Sequence, residues 1–76
     1  MESLIQILKN LKPDVDFDEN TELIKNKIFD SLGMISLVAE LSDEFDVEIT
    51  AEEIVPENFE TVKSIYNMIK RLEDED

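Results

Sequence analysis

Apolar side chains return every three or four positions in three stretches of the chain, the spacing that lines one face of an α-helix. The first stretch covers residues 2–11 and puts Leu4, Ile7, Leu8 and Leu11 on one face. Pro13 closes it, because the residue before a proline is pushed out of the helical region. The second covers residues 32–44, with Phe45 at its end; at about 100° per residue, Met34, Leu37, Val38, Leu41 and Phe45 share an arc of roughly 100°. The third begins near Thr61 and turns Val62, Ile65, Tyr66, Ile69 and Leu72 inward.

Between the first two helices, residues 14–30 are polar and weakly periodic, with Val15, Phe17, Leu23, Ile24, Ile28 and Phe29 expected to pin the loop to the core. A connection this long is usually functional or disordered, and its apolar anchors argue against disorder. Thr50-Ala51-Glu52-Glu53 reads as a capping box opening a short helix, which Pro56 cuts off. With no strand-like alternation and a single glycine, the chain is expected to be all-α. The predicted architecture is a small antiparallel four-helix bundle of three long helices and one short. Residues 1–76 are expected to form one domain, with an acidic tail fraying over 73–76.

Charge changes this picture most. Twenty acidic residues against seven basic ones give −13 at pH 7. Such a surface repels phosphate backbones and anionic lipid, so neither nucleic-acid binding nor membrane insertion is expected. It attracts proteins with Lys/Arg patches, although acidity equally serves solubility. No stretch nears the roughly 18 consecutive apolar residues of a membrane span. Met1-Glu2-Ser3-Leu4 lacks the positive and apolar regions of a signal peptide, so a cytoplasmic protein is expected. Strong self-repulsion favours a monomer.

The side-chain inventory excludes much chemistry. Without His or Cys, the usual general base, metal ligand and thiol nucleophile are all missing, and no catalytic residue is expected. Asp14-x-Asp16-x-Asp18 suggests a calcium loop, which requires Gly at its sixth position and Glu at its twelfth. Glu19 and Lys25 stand there instead, so no metal site is expected and a solvated acidic loop is the better reading.

The second helix has an apolar margin beyond its core stripe. Ile35 lies just outside that stripe, and Leu32 and Ala39 lie further round, beside Ser36, Asp43 and Asp46. Scattered surface apolar residues are common, so the margin alone does not make a partner face. Ser31 stands directly before this helix, after Asp30. As an N-cap it would contribute about 1 kcal/mol. The same place suits a phosphoester, because free N–H groups and the helix dipole favour negative charge there.

Asp30-Ser31-Leu32 resembles the Asp-Ser-Leu signature of acyl and peptidyl carrier proteins, and the run from Leu37 through Phe45-Asp46 to Ile49 is similar to that family's second helix and its exit. The resemblance extends over essentially the whole chain. It implies an acyl-carrier bundle with 4'-phosphopantetheine on Ser31, whose thiol holds acyl groups as thioesters. It further implies that Asp30 helps a phosphopantetheinyl transferase place the arm. Leu32, Ile35, Ser36 and Ala39 would contact partners, while Asp43 and Asp46 would meet basic docking patches on activating ligases and acyltransferases.

The pattern departs from the fatty-acid type at Gly33, where those carriers usually have Asp, and at Ser36, where they usually have Glu. Asp30-Ser31-Leu32-Gly33 and the segment Val55-Pro56-Glu57-Asn58-Phe59-Glu60-Thr61 resemble instead the D-alanyl carrier of teichoic-acid modification. The resemblance therefore implies fatty-acid or related acyl biosynthesis, with D-alanyl transfer to the cell wall as the alternative.

Overall fold

The computed structural model describes residues 2–74. Helix α1 spans Glu2–Leu11, α2 spans Ser31–Phe45, α3 spans Pro56–Phe59 and α4 spans Val62–Asp74. A single 3₁₀ turn, Ala51–Glu53, precedes α3. Among the described residues there is no strand, and the all-α bundle of three long helices and one short is the architecture observed. Helix α4 runs to Asp74, and the rest of the tail expected to fray, residues 75 and 76, lies outside the described residues.

The core is apolar throughout. Leu4 and Leu8 of α1, Leu37 and Leu41 of α2, and Val62 and Ile65 of α4 are fully buried, and among the described residues no polar or charged one is buried with them. Helix α1 packs against α2 and α4, and α3 packs on α4. Of the expected second-helix stripe, Leu37 and Leu41 form the centre, while Met34, Val38 and Phe45 are partly buried against it. Tyr66 and Leu72 are likewise partly buried, and Met68 takes a core position beside Ile69.

The long loop is held at its middle and at its end. Phe17 and Leu23 enter the core, and Val15, Ile28 and Phe29 pack on it. Ile24, expected as another anchor, is 42% exposed instead. It falls in a run of turns between the anchors Leu23 and Ile28, where the chain reverses away from the core. Main-chain bonds then fasten the loop to the junction of α3 and α4: Leu23 N donates to Glu60 O at 2.8 Å, Lys63 N to Glu19 O at 3.0 Å and Val62 N to Thr21 O at 3.3 Å.

Two boundaries differ from expectation. The Thr50–Glu53 capping box does not form, since Thr50 makes no side-chain cap bond. Glu53 turns away to Arg71 of α4, whose guanidinium grips both of its carboxylate oxygens. Pro56 opens α3 where it was expected to end a helix. Its fixed φ and missing N–H suit the first helical position, where that donor has no partner anyway.

Candidate functional site

The mouth of α2 is built from the loop upward. Phe29 stacks on Phe17, their ring centres 6.5 Å apart, and the Lys12 ammonium lies 5.9 Å above the Phe29 ring. This fixes the chain just before Asp30. Asp30 then adopts an extended conformation, and its Oδ1 accepts the Gly33 N–H at 2.7 Å. Its carbonyl accepts the Met34 N–H at 2.8 Å, the first bond of the helix.

Asp30, and not Ser31, is therefore the N-cap. Ser31 is the first helical residue, and it is exposed. No hydrogen bond among the described residues engages its hydroxyl. The Ser31 and Leu32 N–H groups belong to the first-turn donors that a helix leaves without intrahelical partners. An exposed hydroxyl beside such donors suits an esterified phosphate, whose charge the N-terminal end of the helix dipole favours.

Gly33 explains the closeness of the cap. A Cβ there would stand 3.1 Å from Asp30 Oδ1 and 3.3 Å from Phe29 Cδ1, so a side chain would press on both the cap and the ring that positions it. The φ of Gly33 is not positive. What the site uses is the missing side chain, at a helix-propensity cost of roughly 0.5–1 kcal/mol relative to Ala.

The remaining predicted residues line up along α2. At about 100° per residue, Leu32, Ile35, Ser36, Ala39 and Asp43 share an arc of roughly 100° on the side away from the core. All five are exposed, Leu32 at 77% and Ile35 at 67%. Residues 31–39 carry no charge, so on this strongly acidic protein the Ser31 end of α2 is a neutral strip. Carboxylates begin at Glu40, and Asp43 follows Leu32 by about 16 Å along the axis at 1.5 Å per residue.

Asp46 ends the helix in the left-handed region, with φ 52° and ψ 48°, and its N–H donates to Ser42 O. A carboxylate here sits at the negative end of the helix dipole. Among the described residues no group of three or more His, Cys, Asp or Glu is arranged to hold a metal ion. The run at Asp14–Asp18 serves the loop: Asp18 Oδ1 accepts the Asn20 N–H at 2.8 Å, and Asp18 N donates to Thr21 Oγ1 at 2.8 Å.

Two hollows flank the region. An apolar groove of about 190 Å³ lies between Ile24, Met34, Ile54, Val55, Pro56 and Phe59, and Met34 is one turn beyond Ser31. A larger cleft of about 460 Å³ opens at the opposite end of α2, between Phe45–Glu48 and the end of α4, and is lined with carboxylates. Nothing in the local pattern pointed to the groove, whose walls come from three separate segments.

A helical bundle that presents an exposed, uncommitted serine at the mouth of its second helix has the form of a carrier. The chain matches the phosphopantetheine attachment site family over residues 2–69 and belongs to it. Members of this family bear covalently attached 4'-phosphopantetheine. None of the curated proteins matches the chain.

Solved structures similar to the chain include the following two. A chain from a crystal structure described as FAD-dependent dehydrogenase is 37% identical, with a TM-score of 0.77, the match covering 87% of this chain and 96% of that one. A chain from the Bradyrhizobium japonicum glycine:[carrier protein] ligase complexed with glycylated carrier protein is 26% identical, with a TM-score of 0.77, covering 88% and 93%. Among the described residues, no helix is long and apolar enough to cross a membrane.

Proposed function

We propose that Ser31 is the attachment point of the 4'-phosphopantetheine arm and that the protein works as a cytoplasmic, non-catalytic carrier. The observation behind this reading is the division of labour at the helix mouth. Asp30 satisfies the cap, so the Ser31 hydroxyl is left exposed and without a structural task. When bound, the arm supplies a thiol that holds an acyl group as a thioester. The first turn of α2 steadies the phosphate through its unpaired N–H groups. Leu32, Ile35 and Ala39 offer partners an apolar strip beside Ser31, with Ser36 among them, while Asp43 and Asp46 steer basic patches toward it.

Of the two cargo readings, fatty-acyl and aminoacyl, we favour a short cargo of aminoacyl type. The groove, at about 190 Å³, is smaller than the roughly 300 Å³ at which ligand pockets begin. One similar chain comes from a complex whose description names a glycylated carrier protein. The dehydrogenase activity named for the other does not carry over.

Incubation with coenzyme A and a broad-specificity phosphopantetheinyl transferase, followed by intact mass, tests the attachment point. Wild type is expected to gain one arm and Ser31→Ala none. Because Ser31 is not the cap, Ser31→Ala should unfold within about 0.5 kcal/mol of wild type. Absence of the arm from wild type, or its presence on the variant, would overturn the reading.

A further inference from the structure

Gly33 is the chain's one glycine, and its backbone does not call for it. Its φ is not positive, and inside a helix glycine is disfavoured more than any residue but proline. The first turn of α2 also carries no acidic residue, although the helix dipole favours one there. A glycine at this position gives up both propensity and charge.

What it leaves is space between two neighbours of unequal freedom. A Cβ at position 33 would stand 3.1 Å from Asp30 Oδ1 and 3.3 Å from Phe29 Cδ1. The Phe29 ring has little room to withdraw, being stacked on buried Phe17 and covered by the Lys12 ammonium. Asp30 is exposed, and its carboxylate is the far end of a rotatable side chain. The carboxylate is therefore the neighbour that yields, and with it goes the 2.7 Å bond it accepts from the Gly33 N–H. That would leave one more donor at the helix mouth without a partner. Ser31 is adjacent and by residue type as good a cap as Asp30. In that role its hydroxyl oxygen would accept the N–H two or three residues on, and the helix would start one residue later.

We propose that Gly33 is a positioning residue for attachment of the arm: its missing Cβ keeps Asp30 as the cap of α2 and so keeps the Ser31 hydroxyl free. This deepens the reading of Ser31 as the attachment point and rests on it. In the transfer from coenzyme A, Ser31 Oγ bonds to the phosphorus of the pantetheine phosphate. The P–O bond to the departing adenosine bisphosphate breaks, and the hydroxyl proton passes to a base of the transferase. A hydroxyl oxygen already accepting a backbone N–H must first give up that bond. Gly33 acts through Asp30 and takes no part in the bond changes.

Two measurements on the full chain test this. The first compares wild type with Gly33→Ala for arm attachment from coenzyme A by a broad-specificity phosphopantetheinyl transferase. A cap bond holds the hydroxyl back by about fivefold, and kcat/KM is expected to fall by about that factor. The second needs neither arm nor enzyme: Ser31→Ala is introduced into both proteins and unfolding by denaturant is measured. In wild type the unfolding constant should change by about twofold at most. In the Gly33→Ala background Ser31→Ala should raise it about fivefold, because there the serine has become the cap. The gain in helix propensity from Gly33→Ala is common to both members of that background and cancels.

Attachment at an unchanged rate in Gly33→Ala overturns the proposal. So does a slower rate while Ser31→Ala remains neutral in that background, since a side chain at 33 would then be obstructing the transferase itself. Loss of the cooperative transition in Gly33→Ala would also overturn it, making the glycine a requirement of the fold. If wild type never gains the arm, the attachment reading fails instead, and the unfolding comparison still decides which residue caps.

Discussion

At the scale of single residues, Asp30 and Asp46 stand at opposite ends of α2 with opposite consequences. Asp30 places its charge where the helix dipole welcomes it and takes the Gly33 N–H. Asp30→Ala should therefore cost about 1 kcal/mol in denaturant unfolding. Asp30→Asn should keep nearly all of that stability, since Asn caps as well as Asp. If the Asn variant nonetheless takes up the arm more slowly, the carboxylate has a role in modification distinct from capping. Asp46 combines a left-handed backbone with a negative charge at the negative end of the helix. Asp46→Gly should raise stability by about 0.5–1 kcal/mol, because glycine adopts that conformation without strain. A carboxylate in a place that folding alone would give to glycine fits its proposed part in steering partners. Slower loading of the more stable variant is the expected accompaniment.

At the scale of elements, the two faces of α2 should respond differently to the same truncation. Leu37 and Leu41 are fully buried, so Leu41→Ala should cost roughly 2–5 kcal/mol, a large share of what a domain this small possesses. Leu32→Ala and Ile35→Ala remove exposed side chains and should change stability by less than about 0.5 kcal/mol. Their effect should fall on partner binding, measured as the rate of loading by an activating ligase. This asymmetry was legible in the sequence, because a 3.6-residue period separates the faces without knowledge of the neighbours. The long helices and most of the core could be read on the same basis. Ile49 and Phe59 could not, since both enter the core from short segments with no period to betray them. The Thr50–Glu53 box failed for a related reason. Glu53 found its partner in Arg71, eighteen positions on, and local spacing carries no information about such a pair. At the site, the cap was expected at Ser31 with the helix from residue 32; the backbone caps at Asp30 and makes Ser31 the first helical residue, because adjacent Asp and Ser are both good caps and local pattern does not choose between them.

For the molecule as a whole, net charge is the governing term. With −13 at pH 7, self-repulsion opposes compaction, and salt should relieve it. Raising ionic strength from about 0.05 to 0.5 M is expected to lift the thermal midpoint by several degrees, whichever salt is used. Lowering pH from 7 toward 5 relieves the same repulsion, which would hide any single carboxylate, so Glu53 is best seen by difference. The hydrogen bonds and charge of Arg71, helped by Asn58 and opposed by partial desolvation, hold its carboxyl below the ordinary glutamate range. A lowered folded value means that the contribution is complete above the unfolded value and disappears as pH falls through the folded one. The advantage of wild type over Glu53→Gln should accordingly be flat above about pH 5 and shrink below about pH 4. An advantage that grows in acid would contradict the ion pair.

The main-chain bonds that join residues 19–23 to the start of α4 have a kinetic meaning as well. Neither partner can detach alone: releasing the amide of Leu23, Val62 or Lys63 requires the connecting segment and the helix entry to separate together. These three protons, one in the loop and two at the helix entry about forty positions on, should therefore exchange with solvent deuterium through a shared opening event, at nearly one rate. The segment leading to Ser31 would thus share the opening of the α4 entry, and not fray as an independent tether.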